Sequence, residues 1–376
     1  MQKNMCIPLV IDGMTAEGNG VGRAENGMAV FVPHTAVGDR LLCRIVKVEK
    51  RFAYGIVEEL LTPSPDRLTE DGCSVSGKCG GCVFRHVSYE AELRYKEQRV
   101  KDAFERLAGL SPVFQPIIGS ERQSGYRNKA QYPVAGTASA PCIGFYAPRS
   151  HRVVEQRACD LQPPVFKEIL DAVAAWITQA GVTPYDEATH QGLLRHIYLR
   201  QAMKTDQLMV CLVCTSGKLP DTPLLLQKLE AIPNVASVCV NINRRDTNVI
   251  LGEETFVLKG APYIVDELCG LRFRLSPRSF YQVNRDQAER LYTLAAEEAQ
   301  LTKEDVLLDL YCGTGTIGLT MAHRVRQLIG VEIVAPPLRM QNRTPPTTGS
   351  KTRVFCVPMP QRRHCSWKRR ACVPMW

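Results

Sequence analysis

Between Asp305 and Gly318 the chain reads DVLLDLYCGTGTIG, an apolar run that breaks into glycines and then resumes. Gly313, Gly315 and Gly318 fit G-x-G-x-x-G, and the pattern predicts a buried strand, a tight glycine turn and the start of a helix. A second buried strand is predicted over Gly330–Val334, and Glu332 near its end lies 19 residues after Gly313. A strand–turn–helix–strand unit of this kind commits its part of the chain to a doubly wound, Rossmann-like α/β sheet. Glycines let a ligand approach the backbone, and an acidic residue at the second strand end accepts ribose hydroxyls. S-adenosylmethionine and NAD both use this geometry, so the spacing indicates an adenosine cofactor without fixing the reaction.

Fifteen cysteines are a second constraint. The longest apolar runs, such as Leu208–Cys214, fall far short of the ~20 residues that a spanning helix needs, and the N-terminus lacks a secretory pattern. The expectation is a cytoplasmic protein without membrane association, where clustered cysteines mean metal or catalysis rather than disulfides. Cys73, Cys79 and Cys82 are spaced C-x5-C-x2-C around three glycines, and Cys159 is the best candidate for a fourth ligand. Four thiolates hold either zinc or an iron–sulfur cluster, and spacing does not decide between them. Cys6, Cys43, Cys142, Cys211, Cys214, Cys239 and Cys269 sit among apolar residues and are read as core. Cys211 and Cys214 form a C-x2-C pair that is read as part of a buried strand.

Residues 7–61 alternate like short strands (Leu9–Ile11, Ala29–Val32, Arg40–Val48, Tyr54–Glu59) between glycine turns, the pattern of a small β-barrel. Residues 1–62 are accordingly assigned to an OB-like barrel. Pro63 and Pro65 mark a linker. A helix is expected over Tyr89–Leu107, capped by Ser88 and stopped by Gly109, with Leu93, Val100, Phe104 and Leu107 on its apolar face. Residues 63–285 form a central α+β region with strands at Ile143–Tyr146, Leu208–Cys214 and Val235–Asn241 and a helix around Phe166–Ala180. A helix over 286–300 opens a third unit, 286–334, which holds only the first β-α-β of its sheet.

The net charge of +9 resides in one segment. Ala335–Trp376 holds nine Lys/Arg, no Asp or Glu, and seven prolines, so residues 1–334 are balanced. The segment has neither helical nor strand periodicity and is read as disordered. A basic RNA-binding tail is one account. The preferred account is a shifted reading frame, because codons displaced by one base can encode an amphipathic helix, a turn, a strand and a further helix in place of the prolines.

Taken together, these residues resemble the bacterial 5-methyluridine RNA methyltransferases, which act on 23S ribosomal or transfer RNA. The ribosomal branch is the more similar, over residues 7 to 334. Glu17–Arg23, Val30–Pro33 and Gly38-Asp39 resemble that family's TRAM domain, an RNA-binding barrel. Tyr126–Lys129, Gly144–Tyr146, Phe280–Asn284 and Asp309–Gly315 match its central and cofactor-binding stretches. The resemblance implies a [4Fe–4S] cluster on Cys73, Cys79, Cys82 and Cys159, and S-adenosylmethionine contacts from Gln282, Tyr311 and Glu332. It also implies that the helix near 86–110 packs with the methyltransferase unit, and that the partner is RNA, with no DNA and a monomeric chain.

In that family a cysteine thiolate adds to C6 of uracil, the resulting enolate takes the methyl group at C5, and a Glu removes the C5 proton. The target base is unstacked or flipped to reach the pocket. The family's nucleophile follows Asp-Pro-Pro-Arg, and these 376 residues contain no Asp-Pro-Pro. Cys312 belongs to the cofactor turn and is not that nucleophile. The expectation is therefore a chain without catalytic residues of its own and without turnover. A non-catalytic RNA-binding protein with a structural cluster, a transfer-RNA enzyme and an iron–sulfur redox protein are the alternatives.

Overall fold

The computed structural model describes residues 1–332 and the backbone of 351–355. The first five strands are β1 (Cys6–Met14), β2 (Asn19–Arg23), β3 (Ala29–Pro33), β4 (Arg40–Val48) and β5 (Phe52–Thr62). They close a barrel in the order β1-β2-β3-β5-β4. Alternation turns Ile7, Leu9 and Ile11 of β1 inward to meet Val30, Val32, Leu41 and Ile45, as a period of two requires. Cys6 stands one residue out of phase with Ile7 and is exposed, so it is not core. The glycine-rich Asn19–Arg23, read as a turn, is a strand that pairs with both β1 and β3.

The barrel is fastened to the linker by Asp39, whose carboxylate is wholly buried. It accepts from the amides of Ala36 (2.7 Å) and Ser64 (2.8 Å) and from Nε and Nη2 of Arg67. Helix α1 (Tyr89–Asp102) starts at Ser88, whose side chain accepts from the Ala91 amide, and passes into a single π turn at Ala103–Leu107. Its buried residue is Ala91, packed with Ala36 and Val87. Val100, Phe104 and Leu107 are exposed rather than inward, because the helix docks by its first half. There the Tyr95 hydroxyl accepts from the Val37 amide and donates to Asp66. The chain after the helix reaches forward, where Ile118 and Gly119 carbonyls accept from Gln287 and Arg290.

A seven-stranded sheet forms the middle of the molecule. Its strands are β6 (Lys129–Gly136), β7 (Pro141–Tyr146), β8 (Val153–Glu155), β9 (Leu194–Gln201), β10 (Leu208–Cys214), β11 (Val235–Ile242) and β12 (Glu254–Gly260), in the order β12-β11-β10-β9-β6-β7-β8. Helices α2 (Val165–Ala180) and α3 (Thr222–Glu230) cover one face through Phe166, Leu170, Trp176 and Leu225. The hairpin β13 (Ile264–Leu268) and β14 (Leu271–Leu275) covers the other with helix α4 (Arg285–Glu298), burying Phe273, Tyr281 and Tyr292 against Tyr198 and Met209. With both faces covered, every residue of β10 is buried, which places Cys211 and Cys214 in a strand core as their apolar context requires.

The last sheet holds β15 (Val306–Leu310), β16 (Gln327–Val331) and β17 (Lys351–Phe355), all parallel and in that order, with the short helix α5 (Thr316–Met321) between the first two. β15 is not buried as expected: Val306, Leu308 and Leu310 are 44–53% exposed, since among the described residues nothing packs on the face that bears them. The segment 335–376, read as lacking strand character, contributes β17, which takes the open edge of β16 from Gln327 to Val331. The remainder of the expectation for 335–376 lies outside the described residues. Among those described, no helix is long and apolar enough to cross a membrane.

Candidate functional site

The glycine turn lies across the carboxyl ends of β15 and β16, where doubly wound sheets bind ligands. Three residues here have left-handed backbone: Tyr311 (φ 57°), Gly313 (φ 55°) and Gly315 (φ 73°). The turn is pinned to the neighbouring strand end. The Cys312 amide donates to the Val331 carbonyl at 3.0 Å and the Gly313 amide to Oε2 of Glu332 at 2.8 Å. The Tyr311 side chain stands 70% exposed above the turn. Beneath it, Oδ2 of Asp309 accepts from the Gly318 amide at 2.9 Å. Burial pushes the Asp309 carboxyl above its ordinary range, and the Gly318 bond pulls the other way. Gly318 is the tight glycine: a Cβ there would stand 2.7 Å from Asp309 Oδ2 and 2.8 Å from a Leu328 methyl.

The segment Phe280–Asn284 lies against this turn, joined by a 3.1 Å bond from the Thr314 hydroxyl to the Phe280 carbonyl. It is clamped from three other directions. Asn128 donates its amide to the Val283 carbonyl (2.9 Å) and its side-chain nitrogen to the Gln282 carbonyl (2.8 Å). The Tyr281 hydroxyl donates to the buried Asp266 at 3.1 Å, and burial, with the Asp266 carboxylate, drives its own ionisation far upward. Arg200, 1% exposed, donates to the carbonyls of Ser276 and Ser279 at 3.0 and 2.8 Å. Gln282 is thus on a segment bonded to the turn that carries Tyr311, Gly313 and Gly315, and Glu332 is bonded to the same turn.

A groove of about 850 Å³ continues from Asn284 and Gln287, bounded by Arg85, Tyr89, Arg122, Tyr126 and Arg127. Cys82 lines it too, which sets the cysteine loop beside the groove. Burial raises the thiols of Cys79, Cys82 and Cys159 above their ordinary range. Cys73 acts electrostatically on all three, and Cys82 also feels Cys79 and Cys159, so the four thiols lie in one neighbourhood. Among the described residues, however, no three His, Cys, Asp or Glu side chains converge on a single metal ion. The Gly81 amide points at Cys79 Sγ at 3.3 Å, and the Gly80 amide donates to the Tyr146 carbonyl at 2.9 Å.

Sequence reasoning missed Arg200 and Asp266, and placed Asp309 and Thr314 in the cofactor stretch without giving either a role of its own. Arg200 had a signal. It interrupts the apolar β9 pattern LRHIYLRQ, and a guanidinium in a buried strand must find acceptors. The Asp266 contact pairs β13 with a segment fifteen residues on, and no local pattern announces it.

Three comparisons bear on this geometry. A model described as the TRAM domain matches residues 7–57, and one described as tRNA (Uracil-5-)-methyltransferase matches residues 202–343. An uncharacterized RNA methyltransferase of Clostridium tetani is 40% identical over 335 residues, spanning 89% of this chain and 72% of its own. One from Halalkalibacterium halodurans is 38% identical over 359 residues, 95% of this chain and 78% of its own. One from Oceanobacillus iheyensis is 36% identical over 377 residues, 100% of this chain and 81% of its own. Among solved structures, the Pyrococcus abyssi tRNA (uracil-54, C5)-methyltransferase in complex with S-adenosyl-L-homocysteine superposes with a TM-score of 0.72 at 23% identity. It covers 93% of this chain and 79% of that one.

Proposed function

The chain belongs to the RNA (uracil-5-)-methyltransferase family, and from that premise we propose that it binds S-adenosylmethionine at the Tyr311–Gly315 turn and presents it to a uridine of 23S ribosomal RNA. The observation that carries the proposal is the bond from the Gly313 amide to Glu332, which sets a carboxylate at the second strand end beside an open glycine turn. In this reading Glu332 accepts the ribose hydroxyls, Gln282 and Tyr311 border the cofactor, and the glycines admit it to the backbone. The barrel of residues 1–62 and the arginine-bordered groove of the central unit, 63–285, hold the RNA. The enzyme works as a cytoplasmic monomer in this reading.

C5 of uracil takes a methyl group only after a thiolate has added to C6, and a base must then remove the C5 proton. These 376 residues contain no Asp-Pro-Pro, the motif that precedes the nucleophile in the family. Cofactor and RNA binding without turnover is therefore the activity proposed for these residues.

The four thiols of Cys73, Cys79, Cys82 and Cys159 are proposed to hold a [4Fe–4S] cluster. The reading rests on the C-x5-C-x2-C spacing and on the electrostatic nearness of Cys159 to Cys79, Cys82 and Cys73, with four thiolates as the donor set. When bound, the cluster supplies a rigid cross-link between the 73–82 loop and Cys159.

Transfer RNA is the second reading, favoured by the description of the matched model. Filter binding of both RNAs, with and without S-adenosylmethionine, tests the choice. Cofactor-dependent binding of a 23S fragment over transfer RNA is the expected result, and the opposite preference reassigns the substrate.

A further inference from the structure

A second cavity, of about 650 Å³, opens on the central sheet away from the cofactor turn. Its construction begins with an irregularity in β9. Leu194 pairs with Cys214 and His196 with Val213, so Arg195 is an extra residue with no partner in β10. Neighbouring strand residues ordinarily face opposite sides of a sheet, and this bulge lets Arg195 and His196 both line the same cavity.

Both side chains are more than nine-tenths buried. Arg195 lies over the Tyr185 ring at 4.4 Å, with Nη1 donating to the carbonyls of Asn243 (3.2 Å) and Arg245 (2.7 Å). Its Nε has no hydrogen-bond partner, and neither has Nδ1 of His196. Buried polar atoms left unpaired cost free energy that a ligand can recover. Burial pushes His196 down to about 4, so the ring is neutral; its Nε2 lies 3.4 Å from the Tyr146 hydroxyl, which leaves Nδ1 for a ligand.

Opposite them, Glu187 accepts from the Tyr146 hydroxyl at 3.2 Å and from His151. A carboxylate has about four acceptor positions, so two remain. The Tyr146 and His151 rings stack at 5.3 Å and give one wall an aromatic surface.

We propose that the cavity walled by Tyr146, His151, Glu187, Arg195, His196 and Asp246 holds an unpaired guanine of the RNA that the chain binds. The proposal rests on the RNA-substrate reading above. Among RNA bases only guanine sets two adjacent donors, N1–H and the 2-amino group, against a carboxylate, while also offering O6 and N7 to an arginine. Extruded bases are commonly gripped by aromatic surfaces and edge hydrogen bonds. The place is right for a strand lying across the barrel. The Tyr146 carbonyl holds Gly80 of the cysteine loop, and that loop touches the barrel where Gly18 abuts Val83 and Gly77 nears His34.

The test is fluorescence anisotropy of the full chain with labelled single-stranded RNAs of equal length. One is all uridine, one carries a single central guanine, and one carries inosine, which lacks the 2-amino group. Guanine is expected to bind about tenfold tighter than uridine, with inosine between. Glu187→Gln should abolish that preference while leaving all-uridine binding and the melting temperature unchanged, and guanosine monophosphate, not uridine monophosphate, should compete. Equal binding of the three RNAs, or a preference that survives Glu187→Gln, overturns the proposal. Binding of guanosine monophosphate without a guanine preference in RNA overturns it in favour of a free-nucleotide site. Failure of every RNA to bind removes the RNA reading itself, which distinguishes the two failures.

Discussion

The amide of Gly313 lies 2.8 Å from Oε2 of Glu332, so the turn after β15 and the end of β16 are one structure. Gly313, which makes this contact, and Gly318 in the helix that follows serve different needs. Gly313 has φ 55° and open space where a Cβ would go, whereas Gly318 has no such space. Gly313→Ala carries only a conformational cost of about 1–2 kcal/mol. Gly318→Ala forces Asp309 and Leu328 apart, at about 1–3 kcal/mol of overpacking. Thermal melts should show the larger drop for Gly318→Ala, and S-adenosylhomocysteine titration should show weakened binding for both. A Gly313→Ala protein that melts lower than Gly318→Ala would contradict this division.

Arg200 holds the backbone that leads into Phe280–Asn284, the segment bonded to the glycine turn. Arg200→Met leaves the Ser279 carbonyl without its guanidinium donor and the Ser276 carbonyl with only the Ser279 amide, a loss of about 1–3 kcal/mol. Urea unfolding should report that loss, and cofactor affinity should fall more than the affinity for all-uridine RNA. Arg200→Lys should recover part of it. Unaltered cofactor affinity in Arg200→Met would show that the 276–284 segment is held by other means.

Asp39 sets the acid limit of the barrel. Burial alone would raise its carboxyl, but the bonds from Arg67 and from the Ala36 and Ser64 amides hold it below its ordinary 3.8. A depressed carboxyl stabilises the fold fully above its unfolded value, and that contribution is lost as pH falls through the lowered folded value. Wild-type stability should therefore decline below about pH 4. Asp39→Asn should cost about 3 kcal/mol at pH 7 and lose less on acidification. Parallel acid melts of the two proteins measure it, and equal slopes below pH 4 would remove Asp39 from the account.

Protein purified without oxygen should carry about four irons and four sulfides per chain. Cys159→Ser should lose most of both and loosen the 73–82 loop. Stoichiometric zinc, or full iron in Cys159→Ser, would contradict the assigned ligand set.

Local pattern made much of this molecule legible. The short alternating strands between glycine turns over residues 7–61 announced the barrel, the unbroken Leu208–Cys214 run announced a buried strand, and the glycine spacing announced the turn with Glu332 opposite. What stayed hidden depends on contacts between distant segments. Val100, Phe104 and Leu107 have helical spacing yet face outward, because α1 is held by Tyr95 and Ala91 at its other end. The Arg200 clamp joins residues 76 and 79 positions apart, and the Arg195 bulge depends on how β9 meets β10. The first relation needs the barrel in place, and the other two need the central sheet.

Isothermal titration of the chain with S-adenosylhomocysteine, beside Glu332→Gln, tests the central claim most directly. The account predicts one site per chain and at least tenfold weaker binding in the variant, with its melting temperature little changed. No binding by the wild-type chain, or equal binding by the two proteins, would contradict the assignment of this turn as the cofactor site.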